Sequence, residues 1–332
     1  MVEEPKKTPL SDGVLADSSE QGGVGVAALP IRLARYSKAH QRAVSMADYC
    51  TPLDAKLAAK LTHCGHWLLF HHYYTVDQLK LANADFCKKH LLCPLCAIRR
   101  GQKYLEAYSA KVAQVIDKQP GLKAYMVTLT VKNTDDLPER LKHLRSAMKK
   151  MTEARRRHLS YPERHPHVEF SKAVGGVHSI EVKRGANSQK WHPHVHMIWL
   201  CHEAPCEKSL KSEWKRWTGD SDQVNVTEFY GNDSLIDGFM EVFKYALKFS
   251  DMELDDNWHA FEVCKGKRLI GSFGALRGVE VPDDLTDELL DALPFNELIF
   301  KWGWHVGYTL MQYTKHEPNK AHETLFSVIT DS

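Results

Sequence analysis

The chain has 332 residues, is 43% hydrophobic and carries a formal net charge of +2. That length allows one large domain or two smaller ones, and near-neutrality means that any attraction to a polyanion must come from local patches. No apolar stretch reaches the length of a membrane span, and the opening MVEEPKKTPLSDG lacks the basic-then-apolar order of a secretory signal, so a cytoplasmic protein with no membrane partner is expected. The eight cysteines are then expected to stay out of a disulfide framework.

Residues 1–30 are rich in Gly, Ser, Asp and Glu without periodicity and read as a disordered tail. Residues 31–117 read as a helical, cysteine-bearing segment. Within it RRGQKYLEAYSAKVAQVI (99–116) places Tyr104, Tyr108, Val112 and Val115 on one helical face. Residues 118–250 mix strands and helices. AYMVTLTV (124–131) is β-branched, aromatic and alternating, so it reads as a strand. A helix follows over 137–159. GGVHSIEVKRG (175–185) and HPHVHMIWL (192–200) read as two strands of an antiparallel hairpin, joined through KRGANSQK. SLIDGFMEVFKYALKF (234–249) reads as a helix. Residues 251–332 form an acidic, Trp-rich extension without an internal repeat.

In HPHVHMIWL, residues two apart face the same way on a strand. His192, His194 and His196 therefore share one face, and Val195, Met197 and Trp199 share the other. Two neutral imidazoles so spaced can bind one divalent metal. Glu181 on the preceding strand can supply a carboxylate, with His192 as the competing third ligand. Such a set leaves positions open for water or a substrate oxygen, which suits Lewis-acid work on a phosphoryl group. A chain with 19 histidines also produces chance runs. HPHVEF (165–170) begins identically but lacks a second ligand.

Three further groups stand out. EVFKYALK (241–248) puts Glu241, Tyr245 and Lys248 on one face of a continuous helix. A tyrosine hydroxyl there can act as nucleophile, a lysine can stabilise phenolate or phosphate charge, and a carboxylate can act as general base. The plain alternative is an amphipathic helix with a Glu–Lys rung. Cys64, Cys87, Cys93 and Cys96 include a CxxC and match a structural zinc site, with His63, His66 and His90 as alternative fourth ligands. No βαβ pattern surrounds the CxxC, which argues against a redox dithiol. Finally, LKHLRSAMKKMTEARRR (141–157) holds seven Lys or Arg against one Glu, and Arg99, Arg100 and Lys103 form a second basic cluster. Lys149, Lys150, Arg155, Arg156 and Arg157, with that second cluster, are the candidate DNA contacts, although a charge run is usually a solvated face.

The order of TLTVKN (128–133), HPHVHMIWL and EVFKYALK resembles the three motifs of HUH-type rolling-circle endonucleases. It is most similar to plasmid replication initiators that carry a glutamate four residues before the nucleophilic tyrosine. Those initiators also carry an upstream C…C-x5-C-x2-C segment, much like Cys64, Cys87, Cys93 and Cys96 here. KRLIGSFGALRG (267–278) is likewise similar to a segment that recurs among them. The resemblance implies an α+β HUH endonuclease fold: a central antiparallel sheet flanked by helices, with an N-terminal helical, zinc-binding segment. It implies His194 and His196 as ligands of catalytic Mg²⁺ or Mn²⁺, Tyr245 as nucleophile and Glu241 as the activator of water at termination. The partners it implies are plasmid origin DNA, single-stranded or in a hairpin, and a host helicase with the replication machinery. Further copies of the chain are an open option. A single-strand transposase of the same class would share the chemistry. A non-catalytic zinc DNA-binding regulator would leave Tyr245 without a use, and so would a phosphodiesterase acting through water.

Overall fold

The computed structural model describes residues 25–185, 188–290 and 293–316. The tail expected over 1–30 lies, up to residue 24, outside the described residues. In chain order the elements are α1 (Leu29–Cys50), α2 (Ala55–His63), β1 (Trp67–Tyr73), β2 (Gln78–Ala84), α3 (Pro94–Lys118), β3 (Lys123–Thr130) and α4 (Leu137–Ser160). Next are β4 (Ala173–Glu181), β5 (His194–Cys201), α5 (Glu207–Thr218), β6 (Val224–Glu228), α6 (Gly231–Phe243) and α7 (Leu247–Ser250). Last come α8 (Leu254–Cys264), β7 (Ile270–Gly274), β8 (Phe295–Gly303) and β9 (Gly307–His316). The architecture is α+β, with two antiparallel sheets and flanking helices.

The described residues divide into two compact units, one from 25–99 and 283–316 and the other from 100–282. The boundary expected at 117/118 falls instead within the last turn of α3. The region taken as one extension, 251–332, is shared: α8 and β7 lie in the second unit, β8 and β9 in the first.

The first unit is built on a sheet of order β2-β1-β8-β9. The stretch 67–84, expected to be helical, is a hairpin. Its alternation puts Leu68, Phe70, Leu79 and Leu81 inside, as a half-buried strand pair requires. β1 then pairs with β8, more than two hundred residues further along the chain. Helix α1 buries Tyr36, Ala39, Ala43 and Met46, and its Arg32 lies 5.2 Å from the Phe70 ring centroid.

The second unit has the strand order β6-β3-β5-β4-β7, antiparallel at every junction. The expected strands at 124–131, 175–185 and 192–200 are β3, β4 and β5. KRLIGSFGALRG supplies β7, which pairs along β4. Central β5 is covered on both faces. Opposite the imidazoles, Trp199 packs on Phe170 at 4.9 Å between ring centroids. Arg155 of α4 caps that pair, donating to the Phe170 and Ala173 carbonyls. Trp214 of α5 donates to the Thr130 carbonyl at 2.8 Å. Helix α4 starts where Asp136 accepts from the Glu139 N–H at 2.9 Å, an N-cap that satisfies one of the first-turn donors. On the imidazole side, α6 brings Phe243 to stack on Tyr104 of α3, 5.3 Å between centroids.

Candidate metal centres

Register explains how three distant residues meet. Thr130, His194 and Glu181 are directly opposite one another across β3, β5 and β4, and Thr128, His196 and Ser179 form the next rung. Opposed residues in an antiparallel ladder share a face, so Glu181 and the two histidines project together. The ring nitrogens His194 Nε2 and His196 Nε2 lie 3.0 Å apart. They stand 3.5 and 3.4 Å from the two Glu181 carboxylate oxygens. Glu181 is 1% exposed, and neither of its oxygens has a hydrogen-bond partner. Burial raises its pKa, but contact with His194 and His196 outweighs this and holds the carboxyl well below its usual range. A buried, ionised carboxylate facing two imidazole nitrogens is a set that a divalent cation satisfies.

Both imidazoles are held from behind. Nδ1 of His194 faces the His192 carbonyl at 3.2 Å. A carbonyl can only accept, so that nitrogen carries a proton and Nε2 is the atom turned toward Glu181. Nδ1 of His196 lies 3.1 Å from the Thr128 hydroxyl. Partners of this kind fix ring orientation and tautomer in metal-ligating histidines. His192 does not join the cluster of Glu181, His194 and His196. It precedes β5, and its Nδ1 is taken by Asn133 Oδ1 at 2.5 Å. Burial, with the charges of His194 and Lys183, pushes His192 down to about 4. The competing third ligand is therefore a neutral neighbour tied to TLTVKN. Sequence reading quoted Thr128 and Asn133 without giving them roles; the strand register of TLTVKN against HPHVH was the signal that could have found Thr128. It also missed Arg184, which is clamped by Asp256 at 2.9 and 2.5 Å and lies 4.0 Å from the Trp191 ring centroid, anchoring the approach to β5.

Glu241 reaches the same site from α6. Its carboxylate is 4.0 Å from His196 Nε2 and 2.6 Å from Lys244 Nζ. The expected continuous helix ends two residues later, at Phe243, and Lys244–Ala246 is a 3₁₀ turn before α7. Three residues per turn instead of 3.6 rotates the residues beyond the turn by roughly 60°. The backbone from Glu241 to Lys248 is therefore not the single continuous α-helix that the sequence suggested. The Tyr245 side chain lies outside the described residues; Lys248 is half-buried on α7.

The first unit holds the second cluster. Ligand atoms of Cys64, Cys87, Cys93 and Cys96 all lie within 4.8 Å of one another. Sulfur separations are 3.4 Å for Cys64–Cys96, 3.5 Å for Cys64–Cys93 and 3.6 Å for Cys87–Cys96. A tetrahedral Zn²⁺ with Zn–S near 2.3 Å needs about 3.8 Å between sulfurs. Contacts from Cys64, Cys93 and Cys96 push the Cys87 thiol down, while Cys64 and Cys87 push Cys93 and Cys96 up. One thiolate is welcome and further ones repel, a conflict that a bound cation removes. His63, His66 and His90 are not in the cluster. Behind it, His40 Nδ1 meets the Cys64 carbonyl at 2.6 Å and the Tyr308 hydroxyl donates to the Gly65 carbonyl at 2.5 Å.

The two basic groups fare differently. Arg99 is 1% exposed and serves the fold: its guanidinium donates to Asp287 and, at 2.8 Å, to the Leu285 carbonyl. Arg32 also donates to Asp287, at 2.9 Å. Burial opposes that carboxylate's charge, but Arg99 and Arg32 hold its pKa well below the usual range. Arg100 donates to the Pro282 carbonyl and lies over Tyr104, and buried Lys103 faces Glu106 at 3.5 Å. An exposed cluster at Arg99, Arg100 and Lys103 does not form, because each cation is already engaged. Arg155 is likewise spent on backbone carbonyls. Lys149, Lys150, Arg156 and Arg157 are exposed on α4.

The fold and its Glu–His–His cluster thus define a candidate metal centre on an antiparallel sheet. Residues 78–298, well over half the chain, match the Rep_1 family, described as replication protein, and the chain belongs to that family. It is 25% identical over 304 residues to "Protein rep" of Lactiplantibacillus plantarum, a match covering 85% of this chain and 88% of that one. It is 34% identical to a "Protein rep" of a Bacillus species over 148 residues, 44% of each chain. For "Protein rep" of Bacillus amyloliquefaciens the figures are 32%, 44% of this chain and 40% of the relative. These two matches span less than half the relatives' length. No solved structure matches the chain. Among the described residues no helix is long and apolar enough to cross a membrane.

Proposed function

We propose that this protein is a plasmid rolling-circle replication initiator: a metal-dependent tyrosine endonuclease and strand transferase that nicks single-stranded DNA at the double-strand origin. The observation that carries the reading is the convergence of Glu181, His194 and His196, with Glu241 4.0 Å from His196 on the helix that leads into Tyr245. Membership of a replication protein family favours an initiator over a transposase.

Glu181, His194 and His196 would hold Mg²⁺ or Mn²⁺, which supplies Lewis-acid polarisation of a phosphate oxygen when bound. The Tyr245 oxygen attacks the scissile phosphorus. A tyrosine O–P bond forms and the bond from phosphorus to the 3′ oxygen breaks. The 3′ oxygen takes up a proton and becomes the primer end, while the 5′ phosphate stays on Tyr245. Lys248 offers its positive charge to the phenolate or phosphate. At termination Glu241 accepts a proton from a water that attacks the scissile phosphorus; the water O–P bond forms, the bond to the 3′ oxygen breaks, and that oxygen takes up a proton, so the last cut is hydrolytic. The four cysteines hold structural Zn²⁺ in the other unit. The partners are origin DNA, a host helicase and the replication machinery, in the cytoplasm.

The test mixes end-labelled single-stranded origin oligonucleotides with protein and Mn²⁺ and resolves them on a denaturing gel, with Tyr245→Phe alongside. An adduct that survives denaturation and disappears in the variant is the expected result. Cleavage without an adduct would replace the tyrosine mechanism with hydrolysis, and no product on any candidate origin would remove the enzyme reading.

A further inference from the structure

The face of the sheet opposite the imidazoles carries charge that the nicking chemistry does not use. Helices α4 and α5 together hold twelve Lys or Arg against four Glu, in a chain whose net charge is +2. Between them lies a cavity of about 380 Å³ lined by Lys150, Glu153, Arg157, His165, Arg216 and Trp217, among others. That volume is within the ~300–1,000 Å³ typical of ligand sites.

The lining is built for an anion. Its one carboxylate, Glu153, already accepts from Arg156 and Arg157, each at 2.8 Å. Lys150 Nζ is placed at the rim by donating to the Trp217 carbonyl at 3.0 Å, and an ammonium keeps two more protons to give. Arg216 lies 5.9 Å from the Trp217 ring centroid. Lys150 and Arg157 are two turns apart on α4, about 10 Å, which is the axial length of about three nucleotides of one duplex strand. Outside the cavity lining Lys149, Arg156 and Lys215 of the same two helices are also exposed. Exposed cations spread along two helices suit a polyanion rather than one free phosphate.

We propose that this cavity is a DNA-backbone site, separate from the nicking centre and on the opposite face of its sheet. It grips consecutive phosphates through Lys150, Arg157 and Arg216, so origin DNA engages the unit on two faces. The assignment rests on the reading of this protein as one that acts on DNA.

The experiment measures binding of the full-length protein to a labelled duplex and a labelled single strand of one arbitrary sequence, across a salt series. Backbone contacts carry no sequence information, so no origin is needed. The variant is Lys150→Ala/Arg157→Ala/Arg216→Ala. The control, Lys38→Ala/Lys56→Ala/Lys60→Ala, removes equal charge from exposed positions of the other unit. The cavity triple is expected to weaken binding at least tenfold and to lower the log–log salt slope by about 2–3, with less than a twofold change in the control. Lys150→Arg/Arg157→Lys/Arg216→Lys, which keeps the charge, is expected to keep the slope. Loss on the duplex alone or on both probes supports the site and says which form it holds. Equal losses in both alanine triples, an unchanged slope, or no DNA binding by the wild type would overturn it. Formation of the Tyr245 adduct is scored separately, so failure of the nicking reading leaves the salt comparison decisive.

Discussion

The two candidate metal centres solve the same problem in opposite ways. The cysteine cluster draws its donors from the end of α2, the loop before α3 and the start of α3, and fills all four corners with buried or half-buried protein sulfur. The Glu–His–His cluster draws three donors from two neighbouring strands of a rigid sheet and leaves its remaining positions toward half-exposed Glu241. A closed tetrahedral set is what structural zinc sites use, and an open set is what catalytic sites keep. The difference teaches that donors drawn from a loop and two helix ends need the metal to fix their mutual geometry, whereas the sheet holds its ligands in register without help.

The largest expected effect breaks the closed site. Cys93→Ser should take purified protein from one zinc per chain to none and unfold residues 25–99 with 293–316, seen as lost protection in hydrogen exchange. Wild-type protein without zinc would sink the closed-site reading. His194→Ala should leave thermal stability nearly intact while abolishing Mn²⁺-dependent nicking; nicking at the wild-type rate would mean the open site is elsewhere. Asp287→Asn, which strips two buried guanidiniums of their counter-charge, should cost about 3–5 kcal/mol in chemical denaturation. In the wild type the folded carboxyl binds its proton less readily than the unfolded chain does. That stabilisation is therefore full above about pH 4 and fades as the pH falls further, a fade the variant should lack. The smallest effect sharpens the open site: Thr128→Val should weaken Mn²⁺ binding roughly 10–100-fold by calorimetry, and Thr128→Ser should restore most of it. Equal affinity in all three would mean that the Thr128–His196 contact does not position the ligand.

The unit with the Glu–His–His cluster was largely legible because its signals are local. Alternation in AYMVTLTV and HPHVHMIWL gives strand faces directly, and the β4–β5 hairpin brings Glu181 opposite His194. The other unit was not. Its β1–β2 hairpin is closed by β8 from the far end of the chain, and no local period announces a pairing at that distance. Arg99 shows the same limit. In RRGQK it reads as one cation among several, because the residue that buries it, Asp287, lies 188 positions away. The continuous helix expected through Tyr245 failed for a subtler reason: a 3₁₀ turn at Lys244–Ala246 changes the winding without a Gly or Pro to mark it.

The order of strands has a consequence for the chain as it is made. The unit that holds Glu181, His194 and His196 is complete at residue 282, whereas the sheet beside the four cysteines needs β8 and β9, which begin at Phe295 and Gly307. At about 5–20 residues per second, β1 waits on the order of ten seconds or more with one edge unpaired. During synthesis the half with the Glu–His–His cluster is therefore ready first, and the cysteine-bearing half is the one exposed to mispairing. A shortage of metal or a stalled ribosome would strand the chain with its five-stranded sheet finished and its other sheet open.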